Sequence, residues 1–260
     1  MTLSKNETTE FAESLYEAQK TSSPIPPLTD EKEISVDEAY EIQSGVIDRI
    51  CGDDGRITGH KLGLVSEAKQ EQLGIQEPIF GSVTEETVLD EATIPTDSLI
   101  SPRLEAEIGL ILDEDISAPV TPTDILTSTR AVVPVVEILE SRFQGWTIPS
   151  AQDVIADNTS AGRVFVGETL RDVTDVDLAM ESVVISVNGE LEATGVGADI
   201  MGHPARAVAW LGNRLDELDE GLKAGELILT GGINAAIDIE PGDVYQIKFA
   251  NIGEITLTAE

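Results

Sequence analysis

Residues 102–112 read Pro102-Arg103-Leu104-Glu105-Ala106-Glu107-Ile108-Gly109-Leu110-Ile111-Leu112. The stretch ends in an unbroken apolar run, the mark of a strand buried on both faces. Side chains alternate along a strand, so Glu105 and Glu107 share one face while Leu104, Ala106 and Ile108 take the other. Two like charges side by side in apolar surroundings are costly unless something positive sits between them. A divalent cation answers that cost.

A second strand strengthens the pattern. Val132-Val133-Pro134-Val135-Val136-Glu137-Ile138-Leu139 is nearly all apolar with one carboxylate inside it. Pro134 suggests that this strand lies at an edge or begins there. Glu105, Glu107 and Glu137 together offer an all-oxygen site, which suits the hard cations Mg²⁺ or Mn²⁺. The competing reading is that some of them face solvent on an acidic surface. Lys61 sits between Gly59 and Gly63 in a short strand and is one of only seven lysines. It could project a cation into a cleft, or snorkel to the surface. His60 points to the opposite strand face, and His203 precedes Pro204 at a helix start. Both read as structural, and two histidines support neither a histidine dyad nor a three-histidine zinc site.

Charge narrows the partners. The 260 residues carry 49 Asp+Glu against 16 Lys+Arg, a net charge of −33. Such a surface lacks the basic patch that nucleic acid requires. The acids are spread along the chain, which points to a solvated surface suited to high salt, where screening removes self-repulsion. Apolar runs are of strand length, so no membrane span is expected. The polar N-terminus lacks a signal-peptide core, and the single Cys51 excludes an internal disulfide. These features predict a cytoplasmic protein of a halophile.

The remaining chain supplies the frame. Residues 5–20 predict an amphipathic helix with Phe11, Leu15 and Ala18 on one face. Pro24 to Leu28 is extended. Ser35-Val36-Asp37-Glu38 is a capping box opening a helix to about Ile50. From Arg56 the pattern turns to strands and glycine. Ser66 to Leu73 reads as a short helix, Pro78-Ile79-Phe80-Gly81 as a turn, and Thr121 to Ala131 as a helix. Ile155 to Ala161 is a polar, small-residue loop. Val183–Val187, Asn188-Gly189 and Leu191–Thr194 form a hairpin with a type I′ turn. A helix from Pro204 to about Leu218 precedes the final strands. Helices followed by strands and hairpins argue for α+β and against a doubly wound sheet. The expected division is a helical segment, 1–55, and a catalytic domain, 56–260.

Six motifs in order resemble a known family: Gly59-His60-Lys61-Leu62-Gly63-Leu64, Pro102 to Ile108, Val136-Glu137-Ile138-Leu139-Glu140-Ser141-Arg142, Ala156-Asp157-Asn158-Thr159-Ser160, Gly202-His203-Pro204 and Thr230-Gly231-Gly232. They are similar to the hydratase/decarboxylase family of 2-keto-4-pentenoate hydratase and 4-oxalocrotonate decarboxylase, within the fumarylacetoacetate hydrolase superfamily. The resemblance covers nearly the whole chain. It implies a mixed β-sandwich roll with N-terminal helices packed on it. It implies Mg²⁺ or Mn²⁺ on Glu105, Glu107 and Glu137, and Lys61 as the active-site lysine. Asp157, Ser160 and Thr230 fall in motifs that line the substrate site. Members are homo-oligomers of aromatic meta-cleavage catabolism, so a homo-oligomer, or a complex with the neighbouring pathway enzyme, is expected.

Ile79 tilts the resemblance towards the decarboxylase branch, since hydratases resemble Pro-Asp-(Phe/Tyr)-Gly there. A nearby aspartate would repel a departing carboxylate, and an apolar wall disfavours the charged ground state relative to CO₂. His60 replaces a usual tyrosine, and Glu140 a usual aspartate. The expected reaction is decarboxylation of 2-oxo-3-hexenedioate to 2-hydroxypenta-2,4-dienoate. The alternatives are hydration of 2-hydroxypenta-2,4-dienoate to 4-hydroxy-2-oxopentanoate, or a non-enzymatic scaffold subunit of a hydratase complex.

Overall fold

The computed structural model describes residues 2–146 and 150–260. Two capping boxes start the N-terminal helices. The Ser4 hydroxyl accepts from the Glu7 N–H at the head of α1 (Lys5–Lys20), and Ser35 does the same for Glu38 at the head of α2 (Val36–Cys51). Phe11, Leu15 and Ala18 are buried as their spacing predicts, and α1 packs along α2. Ile42 and Ala39 of α2 face the core with no exposed surface. Truncating a side chain like Ile42 to alanine removes packing worth roughly 2–5 kcal/mol.

The chain then builds two sheets. In order come β1 (Ile57–Gly63), α3 (Glu67–Leu73), β2 (Ile79–Thr84), β3 (Thr93–Ile94), β4 (Arg103–Leu112), α4 (Pro122–Thr127), β5 (Thr129–Leu139), α5 (Ala151–Ala156), β6 (Ala161–Val166), β7 (Ser182–Val187), β8 (Glu190–Val196), α6 (Pro204–Asp216), β9 (Leu227–Leu229), β10 (Ile237–Asp238), β11 (Val244–Phe249) and β12 (Glu254–Ala259). The larger sheet runs β2-β1-β9-β4-β5-β6, with β10 also on β4, and the smaller runs β3-β12-β11-β7-β8. Pairing is antiparallel except for β1 with β9 and β12 with β3. The fold is therefore α+β with mixed sheets, and one hydrophobic core joins the helices to both sheets.

The larger sheet separates its faces by alternation. Leu62, Leu104, Ala106, Ile108, Val136 and Ile138 enter the main core. The register pairs Glu105 with Glu137, Glu107 with Val135, and Lys61 with Leu229 across neighbouring strands, which puts Lys61 and all three glutamates on the opposite face. Beyond the carboxylates this second face continues as a small apolar cluster of Val83, Val133, Val135, Val164 and Leu229. The Asn188-Gly189 turn has φ of 54° and 85°, the type I′ geometry its sequence demands.

Four local expectations are corrected. Ile79 to Gly81 is not a turn but the start of β2, because buried Ile79 and Phe80 pair against β1. Gly81 is needed for close approach, since a Cβ there would meet the Asn158 carbonyl oxygen at 2.6 Å. The helix after Thr121 stops at Thr127, where the Ser128 N–H caps Asp124 O and the β-branched run begins β5. Pro134 lies inside the sheet and not at its edge. There β6 has already ended, and the Pro134 carbonyl accepts from the Gly167 N–H. The Asp157–Ser160 segment is not a surface loop. It is buried, and Asn158, Thr159 and Ser160 adopt φ of 48°, 53° and 56° in succession.

His60 packs on the core side of β1, 5% exposed, with its ring edge-on to Phe80. Burial pushes its pKa from 6.5 down to about 4. Burial also raises the Glu226 carboxyl, so these neighbours, 3.9 Å apart, favour neutral forms and not an ion pair. Below pH 6.5 the unfolded chain protonates His60 before the folded one, so stability falls as pH drops towards 4 and is unaffected above 6.5. The shift corresponds to about 3 kcal/mol. A His60→Gln variant should lose that part of the slope. Denaturant unfolding at pH 4.5 and pH 7 measures it, and equal pH dependence in variant and parent contradicts the assignment.

Candidate metal centre and its cavity

Backbone register brings the carboxylates together. Glu105 and Glu107 are alternate residues of β4, and Glu137 faces Glu105 directly from β5. One oxygen from each lies within 4.8 Å of the others. Glu107 and Glu137 have no exposed surface, and Glu105 is 8% exposed. Burial raises the Glu107 carboxyl well above its ordinary range, and the Glu137 charge raises it further against the pull of Lys61. Burial raises Glu137 too, opposed by Lys61.

The hydrogen bonds leave this cluster incomplete. Glu107 Oε2 accepts from the Gly231 N–H at 2.7 Å, but its Oε1 and both oxygens of Glu137 have no hydrogen-bond partner. Lys61 Nζ forms an ion pair with Glu137 Oε1 at 2.9 Å and donates to the Thr159 carbonyl at 2.7 Å. Buried carboxylate oxygens without a hydrogen bond are rare, and a bound ion is one way to satisfy them. A backbone cradle closes one side, where a Cβ on Gly232 would lie 2.1 Å from Glu105 Oε2. An all-carboxylate set fits Mg²⁺ or a similar hard cation, so Glu105, Glu107 and Glu137 are the residues that would hold one.

Above the cluster lies a cavity of about 230 Å³. Lys61 and Glu105 line it, with Ile79, Leu64, Leu73, Leu139 and Val154 as apolar wall. Thr159, Ser160, Arg103 and Trp146 complete the polar rim. Ile79 and Ser160 thus stand at the cavity as the sequence suggests. Asp157 does not reach it. That carboxylate is fully buried against Arg142, whose Nε and backbone N–H both donate to it, and burial pushes it up to about 7. Thr230 is also fully buried behind the site, its hydroxyl donating to Ile108 O at 2.9 Å.

The fumarylacetoacetate (FAA) hydrolase C-terminal family matches residues 60–259. The chain belongs to that family. Within it, the chain is 38% identical over 249 residues to 2-keto-4-pentenoate hydratase of Paraburkholderia xenovorans (strain LB400), covering 95% of this chain and 92% of that one. It is 33% identical over 258 residues to 4-oxalocrotonate decarboxylase of Pseudomonas sp. (strain CF600), covering 98% and 97%. The solved 4-oxalocrotonate decarboxylase from Pseudomonas putida G7, complexed with magnesium and adipate, superposes with a TM-score of 0.96 at 32% identity. That match covers 100% of this chain and 99% of that one.

Several residues that build this family member's site escaped the sequence reading. Asn158 mimics a paired strand, its side chain accepting from Ser82 N at 2.8 Å and donating to Ser82 O at 3.0 Å. Gln43 of α2 donates to both Phe80 O and Ile155 O, and Thr159 Oγ1 donates to Phe80 O at 2.7 Å. Glu140 accepts from the Ile100 N–H. Asn158, Thr159 and Glu140 stand in the quoted motifs, but these long-range bonding roles have no local sequence signal. Arg103 was legible, since it shares the Glu105 face by simple alternation.

Raised carboxyl pKa values in the metal-free protein mean that charge at Glu107 costs folding stability as pH rises above 4.5. Glu107→Gln should therefore raise the melting temperature of the metal-free protein at pH 7 and abolish its response to Mg²⁺. The parent should gain about 2.7 kcal/mol at one hundred times Kd, roughly 5–10 °C in Tm. Thermal unfolding with chelator and with Mg²⁺ reads both, and an unchanged Mg²⁺ response in the variant contradicts the ligand assignment.

Proposed function

We propose that the protein is a divalent-metal-dependent lyase that decarboxylates 2-oxo-3-hexenedioate to 2-hydroxypenta-2,4-dienoate, a step of aromatic meta-cleavage catabolism. The observation that carries this reading is the three-glutamate cluster beside Lys61 at the foot of a cavity walled by Ile79. Glu105, Glu107 and Glu137 would hold the Mg²⁺, which would supply Lewis acidity towards the oxygens of a 2-oxo acid. Three carboxylates bring −3, and an ion of +2 with the Lys61 ammonium balances it.

The chain's own residues do the rest. Glu137 and the Thr159 carbonyl hold Lys61 in place, so its positive charge is fixed where negative charge develops on the substrate oxygen. Ile79, Leu139 and Val154 form the apolar wall of the cavity and keep water from the reacting chain. No helix of the described residues is long and apolar enough to cross a membrane.

The second reading is hydration of 2-hydroxypenta-2,4-dienoate at the same site, favoured by the 38% identity to a hydratase. Each compound, supplied separately with Mg²⁺, separates the two. CO₂ release from 2-oxo-3-hexenedioate, without loss of the diene when that is supplied, is the expected result. Diene loss without CO₂ selects the hydratase, and turnover of neither overturns both.

A further inference from the structure

Arg103 is the second cation on the cavity wall, and the chemistry above leaves it unused. It opens β4 two residues before Glu105, so both side chains leave the strand on one face. The Arg103 Nε donates to Asp238 Oδ1 at 2.6 Å, from the neighbouring strand β10. Its guanidinium carbon stands 4.3 Å from the centre of the Trp146 ring. The indole fixes the plane of the fork, and the bond to Asp238 uses Nε. The Asp238 side chain is 72% exposed, so this ion pair is of the weak, solvent-screened kind.

A cation lining a cavity whose walls are largely apolar selects for an anionic group on what enters. Arg103 lines the same cavity as Lys61 and Glu105, so one ligand can meet the glutamate cluster and the guanidinium at once. We infer that Arg103 receives the far carboxylate of a 2-oxo dicarboxylic acid and thereby sets the preference for diacids over monoacids. Asp238 competes for the same guanidinium and moderates the grip. The inference rests on reading the glutamate cluster as the 2-oxo acid end of the site.

The position has a kinetic consequence. In a decarboxylation the far carboxylate is the group that leaves, so its bond to Arg103 is strongest before reaction and gone afterwards. Such an interaction aids binding and, where it weakens on the way to the transition state, opposes the chemical step. Arg103→Gln should raise KM for the diacid while kcat is unchanged or higher. A residue important only for folding would not split the two parameters in this way.

The direct test uses two saturated ligands that can be neither hydrated nor decarboxylated through a conjugated chain: 2-oxohexanedioate and 2-oxohexanoate. Calorimetry with Mg²⁺ compares them on the parent protein, Arg103→Gln and Asp238→Asn. The parent should prefer the diacid by about tenfold or more, the worth of a charge-assisted bond. Arg103→Gln should abolish that preference and leave 2-oxohexanoate binding unchanged, and Asp238→Asn should tighten the diacid alone. A preference that survives Arg103→Gln, or equal loss for both ligands, overturns the role of Arg103. Failure of the parent to bind either ligand with Mg²⁺ overturns both the inference and the site reading. A diacid preference without CO₂ release from 2-oxo-3-hexenedioate leaves Arg103 in its role and removes only the decarboxylase reading.

Discussion

Three carboxylates buried against one another in a sheet cannot all stay charged without a cation among them. The rest of the structure follows from that constraint. Two strands present Glu105, Glu107 and Glu137 in register, and a third brings Lys61 to within 2.9 Å of Glu137. Lys61 pairs with Glu137, and Glu107 Oε1 is left buried without a hydrogen bond. Groups left unpaired at such depth destabilise the fold, so their presence marks function and not structure.

The surroundings hold the cluster rigid. Asn158, Thr159 and Ser160 run in the left-handed region, each at a cost of roughly 1–2 kcal/mol for a residue with a Cβ. The strain is offset by specific bonds. Asn158 is clamped to Ser82, Thr159 to Phe80, and the Arg142 guanidinium donates to Asp157 and to Ala161 O at 2.6 Å. The product of this arrangement is the Thr159 carbonyl, aimed at Lys61. Gln43 ties α2 to β2 and α5 through the Phe80 and Ile155 carbonyls, on either side of that turn's anchors.

The sequence made some features plain and hid others, for physical reasons. Alternation on β4, two capping boxes and the Asn188-Gly189 turn are local rules, and the structure obeys them. The membership in the family and the α+β class were legible because six motifs keep their order. Ile79 to Gly81 misled because a Pro and a Gly suggest a turn, while the pairing with β1 is long-range. Pro134 misled because its tolerance depends on where the neighbouring strand stops. Asp157 was assigned to the cavity by its motif, yet its partner Arg142 holds it inside, and the motif's contribution to the wall comes from Thr159 and Ser160.

The most direct test of the central claim is to locate the ion. Crystals grown with Mn²⁺ give an anomalous signal that marks the metal without reference to activity. The account predicts one peak per chain, bound by carboxylate oxygens of Glu105, Glu107 and Glu137, at distances of about 2.0–2.3 Å. A peak elsewhere, or none at saturating Mn²⁺, would contradict it.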